Sequence, residues 1–104
     1  MVGVDKRQLV DEAFGSLPRQ LILAALAKEP AHIGVRLAQL ASATELKGAT
    51  LDRHLRALME LEIVQADRPR ELIRPGMTLQ YRLNRPLYAE LLQLWLERQE
   101  LGQS

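Results

Sequence analysis

Apolar positions recur along the chain with two periods, and the change between them lays out the elements. Over residues 4 to 15, Leu9, Val10, Ala13 and Phe14 fall on one helical face, since residues three and four apart stack on one side of a helix. Gly15 breaks this helix, and Ser16 with Pro18 opens the next, where a missing proline N–H is harmless. That helix, to about Lys28, is apolar nearly all round (Leu21, Ile22, Leu23, Ala25, Leu26) and must be buried on several sides. Glu29-Pro30 ends it. A further amphipathic helix is predicted from Ile33, Leu37, Leu40 and Ala41, fading at Ser42-Ala43-Thr44. Gly48 marks a turn before the clearest face of all: Leu51, Leu55, Leu58 and Met59.

At Ile63-Val64 the period shortens to two. An extended run reaches about Asp67, a polar stretch with Arg and Pro fills Arg68 to Gly76, and Met77 to Leu83 alternates. Leu79, Tyr81 and Leu83 take one side, Thr78, Gln80 and Arg82 the other, as on a half-buried strand. Two such runs around a polar loop predict a hairpin. Asn84 and Pro86 open a last helix to about Leu101, with Gly102 as its stop.

The order is four helices, a hairpin and a helix. It predicts a mainly α fold with a small β-hairpin, a winged helix-turn-helix, over a single domain of residues 1–104. The helix-turn-helix covers about 33–61, the wing about 63–83 and the last helix about 86–101. In this architecture one helix enters the major groove, its predecessor braces it, and the hairpin reaches backbone phosphates.

Composition narrows the chemistry. There is no Cys, so thiolate catalysis, disulfides and Cys-ligated metals are excluded. With two His and no ligand-spaced cluster, no metal or other cofactor is expected; His32 reads as a cap or surface residue. Ser16, Ser42 and Ser104 have no base beside them, no phosphate-cradling Gly loop occurs, and no enzyme is expected. The longest apolar run, Leu21 to Ala27, is seven residues, far short of a membrane span. With no leader read at the start, the expectation is a cytoplasmic protein without a membrane partner. Net charge is only +1, but from Lys47 to Arg85 eight basic residues face five acidic ones. The positive surplus therefore lies in the helix-turn-helix and wing.

Leu37-Ala38-Gln39-Leu40, Thr50-Leu51-Asp52-Arg53-His54-Leu55-Arg56-Ala57-Leu58, Ile63-Val64 and Tyr81-Arg82-Leu83-Asn84 together resemble the arsenic-repressor (ArsR-type) family of bacterial regulators. Phe14, Leu17 and Ile22-Leu23-x-x-Leu26 fit its first core helix. The chain departs from the family in a longer turn between Leu40 and Thr50, a longer wing loop from Asp67 to Met77, and the absence of metal-sensing Cys in the helix of Leu37. The resemblance implies double-stranded DNA as partner, with Gly48, Ala49, Thr50, Asp52, Arg53 and His54 at the positions that face it; Lys47 is counted with the expected DNA-binding residues. It also implies a homodimer through the first and last helices.

Helical geometry agrees in part. With Leu51, Leu55 and Leu58 inward, Ala49, Thr50, Arg53, His54 and Ala57 point outward. Arg53 has no charge partner at helical spacing and suits a guanine edge or a phosphate. Asp52, Arg56 and Glu60 form an i, i+4, i+8 ladder, which reads as surface ion pairing. Thr50 serves equally well as an early-helix polar residue. Arg68, Arg70 and Arg74, stiffened by Pro69 and Pro75, fit a wing tip on the phosphate backbone, although charge runs are commonly just solvated.

The last helix carries two apolar stripes, Leu87-Leu91-Leu94-Leu101 and Tyr88-Leu92-Trp95. A domain this small cannot bury both, so Leu9, Phe14, Leu87, Leu91, Leu94 and Trp95 are expected at a dimer seam. The expected function is a homodimeric DNA-binding regulator, a repressor by occlusion, on a pseudo-palindromic site, with room for a small-molecule effector. The alternative is a winged-helix protein-interaction module, favoured by the low net charge, Asp52 on the outer face and the long wing.

Overall fold

A computed structural model describes residues 6–30, 32–68, 70–74 and 78–103, the side chains of residue 70 and residues 101–103 excepted. Helix α1 (Lys6–Phe14) buries Val10, Ala13 and Phe14, as its periodicity requires. At Gly15 any Cβ would stand 2.1 Å from the Asp11 carbonyl oxygen, so only glycine lets the chain turn there. Helix α2 (Leu17–Ala27) starts at Ser16, whose Oγ accepts from Arg19 N–H, with Pro18 in its first turn. Ile22, Leu23 and Leu26 are buried, and α2 packs against α1, α3, α4 and the sheet.

The next stretch corrects the sequence reading. Ile33 precedes a two-residue strand, β1 (Val35–Arg36), and α3 begins only at Leu37 (Leu37–Thr44). Ile33 and Leu37, expected on a buried helical face, are 45% and 42% exposed. The cause is tertiary: Val35 and Arg36 pair antiparallel with Tyr81 and Gln80, and strand pairing wins over the local helical pattern. Gly34 permits the approach, since a Cβ there would meet the Gln80 side chain at 2.6 Å.

Helix α3 runs on to Thr44, so the turn that looked long from Leu40 is only Glu45–Lys47. Thr44 is buried and satisfied: its hydroxyl donates to Leu40 O at 2.6 Å and accepts from Leu46 N at 3.3 Å. Glu45 caps α3 in the left-handed region (φ 58°), its N–H donating to Ala41 O. Helix α4 (Gly48–Glu60) buries Leu51, Leu55 and Leu58 as expected.

Strands β2 (Val64–Ala66) and β3 (Gln80–Leu83) form the wing, with Val64 opposite Leu83 and Ala66 opposite Tyr81. With β1 the sheet has three antiparallel strands in the order β1-β3-β2. Met77, Pro69 and Pro75 lie outside the described residues. Asn84 joins wing to last helix: its N–H donates to Ile63 O (2.8 Å) and its Nδ2 to Glu62 O (3.0 Å). Helix α5 (Arg85–Gln103) passes through Gly102, the expected stop. The fold is the mainly helical winged helix-turn-helix expected.

Candidate nucleic-acid interface

Helix α4 shows its first turn to solvent. Lys47 occupies the cap position in extended conformation and its side chain makes no capping bond. Leu51 N–H already bonds Lys47 O at 2.8 Å, so the preceding amides have no partner within the helix. Lys47, Gly48 and Ala49 are exposed and Thr50 half-buried. A Cβ added at Gly48 meets nothing within 4 Å. Such a helix start presents N–H groups and the positive end of the helix dipole to an anion.

One turn further, Arg53 is exposed and has no ion-pair partner among the described residues. Arg56 does have one: its Nε lies 3.0 Å from Asp52, the surface pair that the spacing implied. His54 corrects the expectation of a fully outward side chain. It is half-buried, and its Nδ1 accepts from Arg19 Nε at 3.1 Å. Burial, then the positive charges of Arg19 and Arg53, hold its imidazole below the usual histidine range. Arg19 was not singled out from sequence, since a lone Arg on an otherwise apolar helix carries no motif.

The wing is built differently from a solvated basic loop. Asp67 closes its neck, its N–H donating to Gln80 O (3.0 Å) and its Oδ1 accepting from Gln80 N (3.3 Å). Arg70–Leu72 form a 3-10 turn. Ile73 packs onto the core beside a cleft of about 310 Å³ that Leu55, Met59, Leu79 and Tyr81 also line. Arg68 is exposed. Arg74, expected to reach outward, instead binds its own loop, Nη1 donating to Glu71 O (2.8 Å) and Ile73 O (3.3 Å). Arg85 is likewise drawn away, its Nη2 donating to the Leu26 and Glu29 carbonyls at the end of α2.

Helix α1 packs along α5, flanked by the ion pairs Lys6–Glu90 and Asp11–Arg98. Leu91 is fully buried, and Phe14 is buried with its ring 5.7 Å from Trp95 and 6.1 Å from Tyr88. Both therefore belong to the core of one chain, not to a surface a second copy can reach. Leu9, Leu87, Leu94 and Trp95 are half-buried, and Leu96, which the stripe reading left out, is 49% exposed.

Among the described residues, no group of three His, Asp or Glu is placed to hold a metal ion, and no helix is long and apolar enough to cross a membrane.

Residues 19–66, the span from α2 to the first wing strand, match the model of the bacterial regulatory protein arsR family. No curated protein matches the chain. Among solved structures, the crystal structure of an ArsR family transcriptional regulator superposes with a TM-score of 0.64 at 14% identity, covering 96% of this chain and 99% of that one. A possible transcriptional regulator from Methanosarcina mazei Go1 gives 0.52 at 19% identity, covering 93% and 86%. The resemblance read from Thr50 to Leu58 is borne out as a likeness: these residues lie within the span that matches the arsR family, and the solved structures share the fold.

Proposed function

We propose that this protein, with its arsR-type helix-turn-helix, is a homodimeric repressor that occludes a pseudo-palindromic operator. Helix α4 enters the major groove by its N-terminal end. The observation that carries the reading is the exposed start of α4 at Lys47-Gly48, without a side-chain cap, followed by the exposed guanidinium of Arg53, which has no ion-pair partner among the described residues. Backbone amides of the first turn and Lys47 hold a phosphate. Arg53 reads a guanine edge, Thr50 and His54 contact base edges or backbone, and Arg68 with Arg70 of the wing grips the neighbouring phosphates. Arg74 acts indirectly, by shaping the loop that carries them.

Dimerisation is supported by α5. Leu87, Leu94 and Trp95 flank buried Leu91, and Leu92 and Leu96 carry the apolar surface further round the helix. This arc is wider than α1 covers, and a second copy would bury the remainder. Two α4 helices would then meet half-sites about 34–36 Å apart.

The test is fluorescence anisotropy of a labelled random-sequence duplex at two salt concentrations. Binding whose logarithm falls with log salt by about 0.9 per neutralised phosphate is expected. No binding at low salt would reject the reading and leave the fold as a protein-interaction module.

A further inference from the structure

We propose that Arg19 is a positioning residue of the interface: it holds His54 as the neutral tautomer that offers an Nε2–H donor to a hydrogen-bond acceptor of the DNA. The inference rests on α4 being the groove helix. Arg19 is anchored at three points. Its backbone N–H donates to Ser16 Oγ (3.4 Å), its Nη1 to Glu12 O (2.6 Å), and its Nε to His54 Nδ1 (3.1 Å). The backbone of Arg19 thus sits in the capped start of α2, and its guanidinium ties the end of α1 to the groove-facing helix.

The chemistry of the pair dictates the tautomer. A guanidinium has donors only and does not deprotonate in proteins. Nδ1 is therefore the bare nitrogen, and the ring proton sits on Nε2, on the edge away from Arg19. The charged groups facing the ring are Arg19 from α2 and Arg53 from α4, both cations, so a second ring proton is disfavoured. A neutral ring with one fixed donor complements an acceptor such as guanine O6 or N7, thymine O4, or a phosphate oxygen. Without Arg19 the ring would exchange tautomers and rotamers, and that donor would be present only part of the time.

Imidazole nitrogen NMR of the free protein reads the tautomer directly, with His32→Ala assigning the two histidines. The expected spectrum has a fully pyridine-like Nδ1 and a fully protonated Nε2 on His54, and Arg19→Met moves both nitrogens toward the exchange-averaged values of an unrestrained neutral ring. Affinity for a duplex selected from a random library is then measured as a double-mutant cycle. Arg19→Met should weaken binding about fivefold, the size of one hydrogen bond, in the wild-type background and leave it unchanged in His54→Ala. A proton on Nδ1 overturns the proposal, and so does an equal loss in both backgrounds, which would mean that Arg19 acts on the phosphate or the fold. Wild-type protein that binds no duplex at low salt overturns the groove reading and the donor's use with it. Protein that binds duplex with the proton on Nδ1 overturns the Arg19–His54 pairing alone.

Discussion

Neighbouring residues of α4 differ sharply in what they are free to do. Asp52 and Arg56 neutralise each other at 3.0 Å, whereas Arg53 between them is exposed and has no ion-pair partner among the described residues. Arg53→Ala should therefore leave thermal stability unchanged and cost about 1–3 kcal/mol at a selected operator, with specificity relaxed at one base pair. Arg56→Ala should change operator affinity far less, since its charge is already engaged. His54 yields a stability prediction. Its ordinary value, 6.5, holds in the unfolded chain, and the folded value is lower. The unfolded chain then binds more protons between the two values. Stability contributed by the neutral ring is full above about pH 6.5 and is lost as pH falls through the folded value. Chemical denaturation at neutral pH and near pH 5 should show a smaller drop for His54→Gln than for wild type.

At the scale of elements, the turn between α3 and α4 holds Glu45 at φ 58°, a conformation that costs a residue with a Cβ about 1–2 kcal/mol. Glu45→Gly relieves that strain while gaining freedom in the unfolded chain. A net stabilisation of about 0.5–1 kcal/mol is expected, read as a rise of a few degrees in Tm. Gly48 at the start of α4 is the opposite case. An added methyl meets nothing within 4 Å in the free protein, so Gly48→Ala should fold at least as stably as wild type. If α4 enters the groove by this end, the same methyl stands between backbone and phosphate, and duplex affinity should fall. Equal affinity would show that the helix approaches DNA by another turn. The faces of α2, α4 and β3 were legible in the sequence because each carries several periods of pattern. Strand β1 was not, because two residues hold no period; only the free edge of β3 makes them a strand.

For the whole molecule, the question is what covers α5. Leu91 and Phe14 are withdrawn into the core, while Leu96 at 49% exposure contributes little to the single chain. Leu96→Glu should leave the melting of the protomer nearly intact yet halve the mass measured by light scattering. It should also weaken binding to a two-half-site operator far more than to one half-site, because a dimer binds the second half-site intramolecularly. A mass already equal to one chain in wild type would remove dimerisation from the proposed mechanism. Helix α2 packs against both α1 and α4, so it joins the helix proposed to meet DNA to the helix that packs along α5.

Local pattern alone determined the helix faces, the alternating wing strand and the Ser16 start, because these depend on neighbours within a turn or two. The absence of Cys was equally plain. Tertiary structure alone decided the partners reached across the fold. Arg19 meets His54, 35 positions away; Arg85 closes the end of α2; Arg74 folds onto its own loop; and Ile33 and Leu37 stay outside while Val35 joins β3. Each of these is a long-range pairing of a donor, a strand edge or a buried volume, and a long side chain does not declare in sequence which distant group will satisfy it.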